Sequence, residues 1–409
     1  MKYTIIETFV GAGGAHIGFL KAGFKSLFVN DIDTNCLKTL TFNNKELSNT
    51  NCLINSEDIT LLDGKKVLEV IKLKPKDLDV MFGGIVCKGF SLAGERSPAD
   101  PRNIYYRYQL NLVQEMKPKI SIIENVPGIL NSKILSKKTP ASYVNKVDLL
   151  WKKIENYKGQ KAFKTKEGLN DNSFTEYGKM LRLEKENLIN ELIENNYLIS
   201  VKEDILEIYN SIGYKTYIQI LNSADFGSAT RRDRVIIVAV RNDINLVYEY
   251  PKSKFSSDNY VTVGDVLNQH KSTTSDEDDI PMNHNEKTKL RLRFLKPGMN
   301  FSQIIDKLPS DLKISKFYSR GSTSRLNPSK PAPTLVPGHS NFPIHPIYDR
   351  SITVREAALL TGFPKTYKFF GTHTKRCEQV GNAVPPNLSY AIALSAKKLL
   401  SNYYKNLKS

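Results

Sequence analysis

Apolar residues in this chain fall into short β-branched runs, each followed by a glycine-rich or polar stretch and then by a helical pattern. Residues 4–10, Thr-Ile-Ile-Glu-Thr-Phe-Val, predict a first strand; a glycine loop follows, then a helix running to Gly23. Residues 26–30 predict a second strand ending at Asp31-Ile-Asp33, and a third unit ends near Asn55-Ser-Glu-Asp-Ile59. A fourth strand covers 80–82, and a fifth, 119–123, ends in Glu124. Strands alternating with helices in this way predict an open α/β sheet. The rhythm breaks over 131–200, which is rich in Lys and Asn, holds the only tryptophan (Trp151) and ends in a helical pattern over 180–193. That stretch is expected to be a helical insertion on the surface, either a nucleic-acid contact or a solvated elaboration.

The alternation resumes with a helix over 205–213 and strands over 217–221 and 235–240. After Arg241 it lapses again. Residues 243–345 are richer in Pro, Ser and charge, with an acidic patch at 276–279 and a basic run at 287–293, and predict a second, smaller domain. A capped helix over 351–362 ending in glycine and a long apolar helix over 388–400 close the chain.

Composition narrows the class. With 409 residues, 40% hydrophobic and 25% charged, the chain can bury two cores. A net charge of +17 argues for a polyanionic partner, nucleic acid first, although a lysine-rich proteome gives the same excess. Four widely spaced cysteines, Cys36, Cys52, Cys87 and Cys377, form no C-x-x-C pair. They fit neither a disulfide scaffold nor a zinc site, so reduced thiols and no metal are expected. The N-terminus lacks the apolar core of a signal peptide and no run is long enough to span a membrane, so a soluble, cytoplasmic protein is expected.

Candidate chemistry gathers at the strand tips, where open α/β sheets hold their ligands. The loop Gly11-Ala-Gly-Gly14 resembles a dinucleotide site, but its third glycine position is His16, which serves a pyrophosphate poorly. Asp31, about 20 residues beyond the loop, can accept from ribose hydroxyls. Asp58 and Ile59 can border an adenine, although each acid could instead be a helix cap. Cys87 lies on a loop hinged by Gly83 and Gly84; a small buried hydrophobe is the alternative. Glu124 ends a hydrophobic strand, where a carboxylate is costly unless paired or protonated. Arg231, Arg232 and Arg234 suit an anionic or carbonyl-bearing substrate, or an exposed basic turn beside Asp233.

The order of these motifs resembles the cytosine-C5 DNA methyltransferases of bacterial restriction-modification systems. The resemblance runs through Phe9-Val-Gly-Ala-Gly-Gly14, Asp31-Ile-Asp33, Gly83-Gly-Ile-Val-Cys-Lys-Gly-Phe-Ser91 and Glu124-Asn-Val126. It continues with Thr230-Arg-Arg-Asp-Arg234, Arg325-Leu-Asn-Pro-Ser-Lys-Pro-Ala-Pro-Thr334 and Gly381-Asn-Ala-Val-Pro385. What it implies is an α/β catalytic domain with a Rossmann-like, doubly wound sheet, dependent on S-adenosylmethionine (SAM), over 1–242 plus 366–409, with the insertion near 131–200. A smaller target-recognition domain, 243–365, would face it across a DNA cleft. By the same resemblance Phe9, Gly11, Gly13 and Gly14 line the cofactor and Asp31 takes the ribose. Ile32, Asp58 and Ile59 surround the adenine, and Asn382 completes the pocket. Cys87 would add to C6 of cytosine, Glu124 serve N3, Arg234 hold O2, and Arg232 support the loop or a phosphate. The implied partner is double-stranded DNA with its target base flipped out. The implied setting is a prokaryotic cytoplasm, a monomer on DNA, and a cognate endonuclease acting on the same site. Val86, Lys88 and Thr230 stand where the family usually has Pro, Gln and Gln. A relative that binds DNA or SAM without turnover, and a tRNA cytosine methyltransferase, remain as alternatives.

Overall fold

The computed structural model describes residues 3–49, 51–85, 97–166, 172–273, 275–314, 323–338 and 342–407. Its strands are β1 (Thr4–Thr8), β2 (Lys25–Asn30), β3 (Leu53–Asn55), β4 (Val80–Gly84) and β5 (Ile120–Asn125), then β6 (Lys133–Leu135), β7 (Leu198–Ser200), β8 (Tyr214–Asn222) and β9 (Asp233–Arg241). Among the described residues seven strands form one sheet, in the order β3-β2-β1-β4-β5-β9-β8, while β6 and β7 pair separately. Strands β1 to β5 are parallel, and β9 is antiparallel to both of its neighbours. The order reverses between β1 and β4, so the expected doubly wound sheet has its switch point there.

Alternation along the strands explains the two apolar layers. Ile5, Val80, Phe82, Ile122, Ile236 and Val238 face one side, under the helices Gly14–Lys21 and Pro386–Asn406. Ile6, Met81, Ile123, Val235 and Ile237 face the other, under Gly64–Val70, Tyr105–Met116 and Val201–Ser211. Strands buried on both faces need continuous apolar runs, which is why β4, β5 and β9 were legible as such. Each fully buried Ile or Phe contributes roughly 1.5–3 kcal/mol.

The first strand stops at Thr8, short of the expected residue 10, because Phe9 turns to φ 51°. The insertion is a pair of antiparallel helices, Ala141–Lys166 and Asn172–Glu194, of which only the second showed a helical pattern in the sequence. They share a core of their own: Val147, Leu150, Trp151, Ile154, Leu181, Leu188 and Leu192.

Farther on, the acidic run 276–279 is not a surface patch. Asp278 and Asp279 are both 1% exposed. Arg355 Nε donates to Asp276 at 2.7 Å, and Thr353 donates to Asp279 at 2.9 Å. Thr353 also caps the helix Val354–Thr361 in a capping box with Glu356, and Gly362 ends it at φ 103°. One apolar cluster joins Val263, Leu326, Phe342 and Val354 to Tyr367, Phe369, Cys377 and Val380. It reaches the glycine loop, where the Tyr367 hydroxyl donates to the Ala12 carbonyl at 2.6 Å.

Candidate active site

The carboxyl ends of β1, β2, β4 and β5 surround a cavity of about 400 Å³. Phe9, Gly11 and Gly14 line it from the first loop; Asp31 and Ile32 from the tip of β2; Asp58 and Ile59 from the turn after β3. Glu124 enters from the tip of β5, Arg232 and Arg234 from the start of β9, and Asn382 from the end of the helix His373–Asn382. Nearly all the candidate residues therefore meet in one place. Gly13 does not line the cavity. It sits at φ 87°, and a Cβ there would lie 2.5 Å from Leu40 and 2.8 Å from the Tyr367 hydroxyl, so the turn and its packing both require glycine. Cys87, with Val86 and Lys88, lies outside the described residues; the described chain leaves β4 at Ile85 and resumes at Ser97.

The loop geometry is held from below. Phe9 at positive φ costs about 1–2 kcal/mol for a non-glycine residue, and its ring stacks on Tyr105 with centroids 6.3 Å apart. At Gly14 a Cβ would meet the Val384 carbonyl at 2.3 Å, so the absent side chain lets the C-terminal segment return onto the first helix. His16 is a buried ion-pair partner: its Nδ1 lies 2.7 Å from Glu7 of β1, and Ser26 donates to the same carboxylate at 2.8 Å. Burial lowers the imidazole pKa, but the carboxylates of Glu7 and Glu46 overcome this and raise it to about 9.

Asp31 is fixed by backbone donors, accepting from Gly11 N at 2.8 Å and Asp33 N at 2.9 Å. Burial pushes its carboxyl above its ordinary value, and those two amides hold it back. Next to it Ile32 stays 64% exposed, an apolar surface bared inside a polar rim. Asp58 accepts from Thr60 N at 2.9 Å, so it is a cap and a cavity residue at once. A pocket with one anchored acid, a bare aliphatic face and glycine backbone fits an adenosine-bearing ligand.

At the opposite end Glu124, 6% exposed, lies 2.6 Å from Arg234 Nε. Burial raises the Glu124 pKa, and Arg234 and Arg232 oppose that shift. The arginines are placed by a second segment: Arg231 N donates to Ala332 O at 2.7 Å, Ala332 N to Ala229 O at 2.8 Å, and Arg232 Nη1 to Leu335 O at 3.3 Å. Thr230, where a glutamine was expected by resemblance, bridges to Ala332 in that pairing. Asn125 Nδ2 donates to Ile85 O at 3.1 Å, tying the tip of β5 to the end of β4. The cysteines among the described residues are poor nucleophiles. Burial raises the Cys36 pKa, helped by Asp31 and Asp33, and pushes Cys52 and Cys377 up to about 12.

Sequence reasoning missed Lys375, Glu378 and Gln379, which line the cavity with Asn382. Their spacing of three, four and seven residues from Lys375 is one face of a helix, a signal that was there to read. Lys375 lies 3.2 Å from Asp33 and 3.4 Å from Glu378, closing the rim.

The family model described as C-5 cytosine-specific DNA methylase matches residues 3–149 and 181–398. The chain is 27% identical to the Type II methyltransferase M.DdeI of Desulfomicrobium norvegicum, over 98% of this chain and 89% of that protein. It is also 27% identical to the Type II methyltransferase M1.HphI of Haemophilus parahaemolyticus, over 98% and 88%. A solved prophage-encoded protein from E. coli, described as a DNA modification methyltransferase, has the same fold. Its TM-score is 0.64 at 21% identity, covering 98% of this chain and all of that one.

Proposed function

Because the chain belongs to the C-5 cytosine-specific DNA methylase family, we propose how its crevice performs the reaction of that family. The protein is a DNA (cytosine-5-)-methyltransferase of the restriction-modification kind. The observation that carries the assignment of roles is the buried Glu124–Arg234 pair, which lines the same cavity as Asp31 and Ile32.

SAM, when bound, supplies an electrophilic methyl group. Phe9, Gly11, Asp31, Ile32, Asp58, Ile59 and Asn382, which line the cavity, would hold it, the Asp31 carboxylate being the group to accept from ribose hydroxyls and Ile32 the apolar surface for the adenine. Cytosine C5 is too weak a nucleophile to take that methyl unaided. The Cys87 thiolate adds to C6 and loads charge onto the ring, and C5 becomes nucleophilic. Glu124 holds N3, and the burial that raises its pKa favours the protonated form that can donate there. Arg234 holds Glu124 and faces O2, while Arg232 keeps the loop against Leu335. Once C5 carries the methyl group, water takes the C5 proton, the electron pair of that bond re-forms the C5–C6 double bond, and Cys87 leaves as the thiolate. The base must leave the duplex to enter so enclosed a site.

Residues 243–365 serve as the target reader in this account, since a duplex site needs base-edge contacts that a catalytic pocket does not supply. A cognate endonuclease, a monomer on DNA and a cytoplasmic location go with the restriction-modification setting. Among the described residues no helix is long and apolar enough to cross a membrane.

Bisulfite sequencing of DNA from a host expressing the chain tests the assignment, since protected cytosines at one recurring site support it and none sinks it. Two variants test the roles. Glu124→Gln keeps a hydrogen-bonding side chain but loses the transferable proton, and kcat is expected to fall by about 10²–10⁴; a fall under threefold removes Glu124 from the chemistry. Asp31→Ala deletes a charged acceptor worth about 1.5–3 kcal/mol, so KM for SAM should rise roughly 10- to 150-fold with kcat nearly held. A kcat defect without a KM change would reassign it.

A further inference from the structure

One wall of the cavity does not come from the sheet. The helix His373–Asn382 supplies Lys375, Glu378, Gln379 and Asn382 to it. Through Cys377 and Val380 the same helix joins the apolar cluster of Val263, Leu326, Phe342 and Val354. Those partners lie within 243–365, so the wall that would meet SAM is packed against the segment proposed to read DNA.

Apolar packing holds a helix close but fixes its rotation weakly, because the hydrophobic effect is non-directional. Directional contacts do the rest, and they converge on the acidic turn 276–279. Arg376 is on the helix but outside the cavity lining, with Nη1 3.2 Å from Glu277 and 3.4 Å from Asp278. Asp278 is fully buried and serves two further groups. Phe369 N, just before the helix, donates to it at 3.0 Å, and Arg355 Nη2 of the helix Val354–Thr361 donates at 3.3 Å. Arg355 Nη1 also donates to Tyr367 O at 2.5 Å, and the Tyr367 side chain reaches the glycine loop at Ala12. One carboxylate therefore ties together two helices, the segment between them and, through Tyr367, the loop beneath the cofactor.

A carboxylate buried this completely is costly unless several partners satisfy it. Its placement has a use at the cavity. Successive residues on a helix are about 100° apart, so a modest rotation would carry Lys375, Glu378 and Asn382 off the cavity together.

We propose that Asp278 is a positioning residue for the cofactor: through Arg376 and Arg355 it sets the rotation of the helix His373–Asn382, and with it the wall that meets SAM. It does so without lining the cavity itself. The inference rests on the cavity being the SAM site and adds a dependence of that site on the segment 243–365.

Calorimetric titration of the full chain with SAM, beside steady-state kinetics, tests it. Asp278→Asn keeps the side-chain shape and removes the charge that orients both guanidinium groups. Residues that touch neither ligand shift a site's affinity by up to roughly 30-fold, and here Kd for SAM should rise about 5- to 30-fold. Binding stoichiometry should be retained, with kcat at saturating SAM within about twofold of native. A purely structural carboxylate gives another pattern: a lower melting temperature, fewer active molecules and a lower kcat, at native Kd. That pattern, or a rise in Kd under about fivefold, overturns the proposal.

Asp79→Asn supplies the comparison. Asp79 is likewise buried, lies 3.1 Å from Lys119 and precedes β4, at the end of the sheet away from the cavity. Its loss should lower stability and leave Kd for SAM within about twofold of native. An equal rise in Kd there would mark general loosening and also overturns the proposal. Where Asp278→Asn does not fold, Arg376→Met removes the helix end of the contact and should raise Kd over the same range. A native chain that binds no SAM overturns the cavity assignment together with this role; native binding with an unaltered Kd in the variants overturns the positioning role alone.

Discussion

Cys87→Ala is expected to abolish methyl transfer while leaving SAM affinity unchanged. The chemistry asks a thiolate to add at C6 before C5 can react, and no oxygen nucleophile of ordinary pKa replaces it at neutral pH. Removing one member of a catalytic unit commonly costs as much as removing the whole unit, so a loss on the order of 10⁴-fold or more is the expected scale. The remaining described cysteines offer no substitute, since burial raises the pKa of Cys36, Cys52 and Cys377 alike. The groups proposed to hold SAM come from β1, β2 and the turn after β3, and none of them needs the thiol. Transfer of tritiated methyl to mixed-sequence DNA measures the first half, and calorimetric titration with SAM the second. Turnover within tenfold of native would remove Cys87 from the mechanism. A simultaneous loss of SAM binding would show that the substitution had disturbed more than the nucleophile.

His16→Leu should be the most destabilising single change beneath the cofactor loop. It strands the Glu7 carboxylate, 0% exposed, without its 2.7 Å partner, and breaking one side of a buried pair costs about 3–5 kcal/mol. Replacing both partners, as in Glu7→Gln/His16→Gln, should cost much less. The pair also has a pH signature. The folded imidazole pKa, about 9, lies above the ordinary value of 6.5, so the stabilisation is fully present below pH 6.5 and is lost as pH rises towards 9. Urea unfolding between pH 6 and 10 should show that decline in the native chain and a flatter profile in the double variant. Equal stability of His16→Leu and the native chain at pH 6.5 would sink the account.

Much of the fold was legible because central strands advertise themselves. β4, β5 and β9 are buried on both faces, and their β-branched runs cannot be mistaken for polar turns. Strand order and direction were not legible, since pairing partners such as Glu124 and Ile236 lie far apart in the chain. The same distance hid the meaning of His16. As a departure from a glycine pattern it looked like a defect in a phosphate loop, and only folding brings Glu7 and Ser26 to it. Gly13 lies behind the cavity wall at φ 87°, where sequence alone does not separate a glycine demanded by a turn from one demanded by a ligand. That Asp31, Asp58 and Glu124 would line one cavity could be anticipated, because acids at the carboxyl edge of a sheet need a reason to be there. The first insertion helix, and the core that Trp151 joins, were not legible, since a helix whose apolar stripe meets only one partner looks like solvated chain until that partner is placed.

Strand β9 runs against the others, and this puts the beginning of one strand at the edge where the six others end. Its arginines thus reach the cavity from a hairpin, with no crossover helix behind them, and their aim is set by pairing register together with the contacts to Ala332 and Leu335. Opposite Glu124 and Asn125 stand Ile236 and Val235, so Arg234 is the next residue outward. A slip of one position would turn its guanidinium to the far side of the sheet and offer Asp233 or Val235 in its place. The Glu124–Arg234 contact consequently works as an alignment mark for the sheet: only a correctly threaded hairpin can close it, and chemistry and correct folding are checked by one pair of atoms.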